Sequence, residues 1–152
     1  MRVALGSDHA GFALKERLKA ALREYGYPVE DVGTFSRDPV DYPDYSEKVA
    51  NEVIAGRVDR GILVCGSGVG ASVAANKVPG IRCAICHDVY SAHQGVEHDD
   101  MNLLAMGSRI IGEEVAVELA RKFLEARFSA EERHNRRLAK TIAIERKYCR
   151  PV

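Results

Sequence analysis

Short, almost wholly apolar runs alternate along the chain with stretches whose apolar positions recur every three to four residues, and the alternation persists from end to end. The runs Arg2–Ser7, Pro28–Gly33, Gly61–Cys65, Ile81–Cys86 and Asn102–Met106 have strand length, Pro28–Gly33 being the least apolar. Between them Leu14, Leu18, Leu22 and Tyr25 mark a helix stopped by Gly26, and Tyr45, Val49 and Val53 mark another ending near Gly56. Further helices are expected over Ala71–Val78, closed by Pro79 and Gly80, near Tyr90–Val96, and where Val115, Leu119 and Phe123 share a face. A last helix is expected over 130–149. Thr34–Pro43, with Pro39 and Pro43, predicts a loop.

Apolar strands separated by amphipathic helices suit a parallel sheet covered on both faces. The pattern predicts an α/β protein: a Rossmann-like three-layer α/β/α sandwich with a five-stranded, mainly parallel sheet and a C-terminal helix. In such folds ligands bind beyond the carboxyl ends of the strands. That rule selects Ser7-Asp8-His9, the loop around Asp41-Tyr42, Cys65-Gly66-Ser67-Gly68, and His87-Asp88. The stretch 98–102 precedes a strand, so it must reach the site by another route.

Length and charge narrow the picture. The 152 residues suit one domain over 1–152, and 22 basic against 22 acidic side chains give no whole-protein field to gather nucleic acid or an anionic membrane. No run approaches the roughly 18 apolar residues of a membrane span. Asp8 and His9 interrupt the N-terminal run before a signal sequence could form, so a cytoplasmic chain with four reduced cysteines is expected.

The strand–GSGVG–helix unit is the most informative local feature. Its glycines permit close backbone approach, and the following helix presents unpaired N–H groups to an anion. Gly66-x-Gly68-x-x-Ala71 also satisfies the loose dinucleotide pattern, with Asp88 downstream as a ribose ligand, so a dinucleotide-binding regulatory module stands as the alternative. Cys65 separates the two readings. A cysteine ending a strand beside a helix N-terminus suits a base or nucleophile, whereas dinucleotide binding has no use for one; the plainer role is a small apolar residue.

Other motifs carry less. Cys83-Ala84-Ile85-Cys86-His87 matches haem-attachment and redox patterns, but two cysteines three apart in a strand point to opposite faces. His87, His93, His98, Asp99 and Asp100 fit no familiar metal spacing, so neither metal nor cofactor is expected. The basic run in 133–150 is short and lacks interleaved aromatics, which argues against nucleic acid, while Arg133 and Arg137, four apart, could clamp one phosphate.

GSDHAGF at 6–12, DYPDY at 41–45, GILVCGSGVGASVAANKVPGIR at 61–82, HDDMN at 98–102, GSR at 107–109 and RHNRR at 133–137 together closely resemble the type B ribose-5-phosphate isomerases. The resemblance covers almost the whole chain. It implies an aldose–ketose isomerase of pentose-phosphate metabolism that interconverts ribose 5-phosphate and ribulose 5-phosphate without metal or cofactor, with active sites shared between the subunits of a homodimer. Dimer and tetramer stay open, as do the six-carbon relatives' substrates, allose 6-phosphate and galactose 6-phosphate.

Carried over by motif, the resemblance makes Cys65 the base that moves a proton between C1 and C2. Asp8 and His98 serve ring opening, and the backbone of Gly66, Ser67, Gly68, Val69 and Gly70 holds the enediolate oxygen. His9, Arg133 and Arg137 contact phosphate, and Tyr42 and Arg109 line the site. Two positions depart from the family: Asp99 replaces the usual Asn beside the catalytic His, and Glu131-Glu132 replace Gly-Gly directly before Arg133.

Overall fold

The computed structural model describes residues 1–149. The strands are β1 (Val3–Ser7), β2 (Val29–Gly33), β3 (Arg60–Cys65), β4 (Cys83–Ile85) and β5 (Leu103–Gly107). The helices are α1 (Phe12–Glu24), α2 (Tyr42–Ile54), α3 (Val69–Ala75), α4 (Val89–Asp99), α5 (Glu113–Glu125) and α6 (Glu132–Tyr148). All strands pair in parallel, in the order β2-β1-β3-β5-β4. Among the described residues no helix is long and apolar enough to cross a membrane.

Two apolar cores follow from the two-residue period of the strands. Val3 and Leu5 of β1, Ile62 and Val64 of β3, and Leu104 and Met106 of β5 face α1, α4 and α5, packing with Leu14, Leu18, Val96, Leu119 and Phe123. Their alternates Ala4, Leu63, Cys65, Leu103 and Ala105 face α2 and α3, where Val49, Ala50, Ala71 and Ala75 complete the second core. Small residues dominate that second layer, so α2 and α3 lie close on the sheet. The three-layer α/β/α arrangement with five parallel strands is the one the pattern predicts.

Several boundaries differ from the sequence expectation. Pro43 lies inside the first turn of α2, where its missing N–H would have no intrahelical acceptor anyway, so the helix begins at Tyr42. α3 starts at Val69 and ends at Ala75, and β4 is only three residues long. Asn76 explains the short edge: its side-chain amide donates to the Cys83 carbonyl at 2.8 Å, and its carbonyl accepts the Cys83 N–H at 2.9 Å. One side chain thus occupies both backbone groups of an edge strand that would otherwise be open to pairing. α4 runs on to Asp99, and Asp100, in the left-handed region at φ 51°, terminates it.

Lys15 is among the largest wholly buried side chains and carries the charge in that set. Its ammonium lies 2.7 Å from both carboxylate oxygens of Asp31 and 2.9 Å from Glu16, tying α1 to β2. Asp31 in turn accepts the Gly33 N–H at 3.0 Å, where β2 ends. A buried ammonium is tolerated only with this degree of pairing.

Candidate active site

At the carboxyl ends of the strands a cavity of about 290 Å³ opens between Asp8, Tyr42, Cys65, Gly66, Ser67, Gly70, Arg109 and Ile110. Cys65, the last residue of β3, forms its floor and is 4% exposed. The Gly68 N–H donates to its sulfur at 3.1 Å. This contact requires Gly68 at φ 85°, left-handed backbone that an L side chain rarely adopts.

Neighbouring elements fix the walls. Asp8, buried just after β1, accepts the Gly11 N–H at 3.0 Å, which holds its carboxylate at the entry of α1. The ring of Tyr42, first residue of α2, lies against Gly70; a Cβ there would stand 2.7 Å from it, so only glycine admits this packing. Arg109 is held by backbone: the Ser108 N–H donates to the Cys65 carbonyl at 2.8 Å and the Arg109 N–H to the Gly66 carbonyl at 3.0 Å. This docks the turn after β5 onto the loop after β3 and brings the guanidinium over Gly66. His9 Nδ1 lies 3.2 Å from both the N–H and the carbonyl oxygen of Val40, joining the loop before α2 to the loop after β1.

Within the glycine loop the backbone donors divide. The Gly68 N–H is engaged by the sulfur and the Val69 N–H by Ser67 Oγ at 3.2 Å, so neither is free for a substrate oxygen in this arrangement. Gly70, in the first turn of α3, has no intrahelical acceptor for its N–H and lines the cavity, so this donor is available to an oxyanion.

The other sequence-selected residues stand elsewhere. His98 and Asp99 end α4, a few residues before β5 begins, at the amino end of the sheet. β5 spans five residues, so roughly 15 Å of strand separates that end from Cys65. His98 Nδ1 lies 2.8 Å from the side-chain amide of Gln94, and its ring stacks on His134 with centroids 4.0 Å apart. His134 is buried, and its Nδ1 lies 2.5 Å from Ser129 Oγ. Burial, and then the adjacent His98, hold its imidazole below the ordinary histidine range, so it is neutral near pH 7. Arg133 and Arg137 flank it on the exposed surface of α6. One chain therefore carries two groups of candidate residues, around Cys65 and around His98, that do not meet within it.

Sequence reasoning named neither Ile110 nor His134. Ile110 directly follows the GSR motif, and His134 lies inside RHNRR, so both were within reach of those patterns. The structure also removes the dinucleotide reading. The Asp88 carboxylate caps α4, accepting the Ser91 N–H at 2.7 Å, and so is engaged at the helix start where a ribose would need it free. Cys83 and Cys86 pack on opposite sides of the sheet, and His87 Nε2 accepts the Gly107 N–H at 2.9 Å. Among the described residues no group of three or more His, Cys, Asp or Glu side chains is gathered to hold a metal.

Comparison with known proteins places this geometry. The chain is 45% identical over 146 residues to ribose-5-phosphate isomerase B of Escherichia coli, covering 96% of this chain and 97% of that protein. Its fold is similar to a Clostridium thermocellum ribose-5-phosphate isomerase B structure with a TM-score of 0.95 at 46% identity, covering 97% of this chain and 99% of that one. A type B ribose 5-phosphate isomerase from Trypanosoma brucei superposes with a TM-score of 0.91 at 46% identity over 95% and 98% of the two chains. With the family profile described as Ribose/Galactose Isomerase matching residues 3–141, the chain belongs to that family.

Proposed function

We propose that this chain interconverts ribose 5-phosphate and ribulose 5-phosphate, in the cytoplasm and as a step of pentose-phosphate metabolism. The observation that carries the reading is the Cys65 sulfur on the cavity floor, beneath Arg109 and bonded by the Gly68 N–H, in a chain of this family. Aldose–ketose conversion through an enediolate needs a base for the carbon-bound proton, a donor for the developing oxyanion and an acid for the ring oxygen. Cys65 takes the C2 proton of the open-chain aldose and returns it to C1. The Gly70 N–H faces the oxygen that gains charge, and Asp8 and His98 move protons during ring opening.

The two separated groups of residues support a homodimer with shared sites. In this reading Asp8, His9, Tyr42, Cys65, the glycine loop and Arg109 of one subunit face His98, Asp99, Arg133 and Arg137 of its partner. α6 suits the interface: His134 is the one fully buried residue among its seventeen, and Ile144 and Tyr148 are 61% and 70% exposed. Val69 and Val73 form a second exposed apolar pair, one turn apart on α3. Phosphate lies remote from the reacting carbons, so its binding by His9, Arg133 and Arg137 orients the open-chain sugar.

The test is turnover by the purified chain on ribose 5-phosphate, allose 6-phosphate and galactose 6-phosphate, with exchange of substrate hydrogen into deuterated water. Highest kcat/KM on ribose 5-phosphate with exchange is the expected result. Turnover of none of the three overturns the reading, and preference for a six-carbon sugar corrects the substrate.

A further inference from the structure

Arg133 and Arg137 lie one turn apart on the same face of α6, yet their surroundings differ. The Glu131 carboxylate accepts a hydrogen bond from Arg133 Nε at 2.9 Å. Arg137 has no acidic side chain within ion-pair distance among the described residues. Glu131 occupies the N-cap position of α6, where a shorter Asp, Asn, Ser or Thr side chain would accept a first-turn N–H. It makes no such bond and folds back onto the guanidinium instead, as its extended backbone at ψ 149° permits. The contact uses Nε, one of the two nitrogens of the side-on fork that grips a phosphate in bidentate fashion. Glu132, the next residue, pairs with Arg136 at 2.9 Å and leaves Arg133 alone.

We infer that Glu131 is an internal competitor for the phosphate clamp: its carboxylate occupies Arg133 in the resting enzyme and the substrate phosphate must displace it. This rests on the reading that Arg133 and Arg137 hold the substrate phosphate. Arg137 is then the standing anion contact and Arg133 the exchanging one. Affinity for every phosphorylated ligand is set partly by a side chain that touches none of the sugar. Both partners are more than half exposed, so the competition has the small magnitude of a surface ion pair.

The experiment measures KM for ribose 5-phosphate and the inhibition constant of inorganic phosphate for the full-length wild type, Glu131→Gln and Glu132→Gln, with thermal melting as a folding control. Glu131→Gln should lower both constants together by about two- to fivefold, the worth of an exposed pair. Glu132→Gln removes the same charge from the same helix end and should move neither. Unchanged constants in Glu131→Gln, or an equal fall in both variants, would overturn the inference, the latter because charge alone would then explain the effect. Arg133→Ala isolates the underlying reading: if it leaves both constants at the wild-type value, the phosphate clamp itself is wrong, whatever Glu131 does.

Discussion

Cys65 and Cys83 pack on the same side of the sheet, and what surrounds each sulfur sets its chemistry. Burial pushes the Cys83 thiol up to about 12 and Cys86 up to about 11. At pH 8 a thiol of that kind is a thiolate in about one molecule per thousand or fewer. Cys65 instead receives a backbone N–H and borders the cavity, and Cys149 is exposed. Iodoacetamide at pH 8 should therefore modify Cys65 and Cys149 well before the other two, with ribose 5-phosphate protecting Cys65 alone; peptide mass spectrometry reads the order. Early labelling of Cys83 would contradict it. Replacing the base should show the same residue in turnover: Cys65→Ala is expected to keep its melting temperature within a few degrees and lose about two to four orders of magnitude in kcat, the usual worth of a positioned base. Asp99 poses a different question at this scale. An ionised carboxylate offers no hydrogen to a sugar oxygen, whereas an amide does. Asp99→Asn should raise kcat/KM toward at least one of the three sugar phosphates, and an unchanged panel would mark the position as tolerant.

Elements are joined here by charge as well as by packing, and the junction of α1 with β2 is the clearest case. Burial raises the Asp31 pKa, but hydrogen bonds from Lys15, Lys19 and the Gly33 N–H outweigh it and hold the carboxyl below its ordinary value. A carboxylate depressed in the folded state stabilises the fold fully above its unfolded pKa of about 4, and that stability is lost as pH falls through the lower, folded value. Denaturant melts of the wild type should show stability falling steeply below about pH 4. Asp31→Asn should abolish this part of the acid dependence and, by leaving the buried Lys15 ammonium with Glu16 as its remaining carboxylate, cost about 1–3 kcal/mol at pH 7. A loss under 1 kcal/mol would show that Lys15 finds other partners.

Elements were more legible in the sequence than their junctions. β1, β3 and β5 are buried on both faces, so their apolar runs were unambiguous, and the carboxyl-end rule then led to Asp8, Tyr42 and Cys65. Pro43 misled, because proline breaks a helix interior but is welcome in a first turn. The end of α4 was missed because Asp100, not glycine, takes the left-handed terminating position. Pairing of Lys15 with Asp31 left no mark in the pattern, since a lysine at a buried helical position reads as an error in periodicity until its partner is known. Spacing alone suggested a phosphate clamp at Arg133 and Arg137, whereas for His98 only the family motif supplied a role, because the strand-end residues it is proposed to serve lie at the far end of the sheet.

The sheet itself holds the two groups of candidate residues apart within one chain. Cys65 sits at the carboxyl end of β3, while the stacked pair His98 and His134 and the arginines beside it sit past the amino end of β5. Closing that separation inside a subunit would require unpacking α4 from α5 and the sheet, against Ala92 and Val96, both wholly buried. A two-fold dimer would bring the groups together at no such cost, because the same interface would build two equivalent pockets, each with one group from each chain. Complementation tests this directly. Cys65→Ala chains and Arg133→Ala/Arg137→Ala chains, each inactive as homodimers, are mixed and allowed to exchange subunits. If the pocket is shared, one pocket of the heterodimer collects both lesions and the other collects none, so activity should return toward half the wild-type value per dimer. If Cys65 and the arginines of a pocket come from one chain, each pocket keeps one lesion and heterodimers, verified by native mass spectrometry, stay inactive. The second result would force a route by which α4 and α6 reach Cys65 within their own subunit, and the shared-site reading would fall with it.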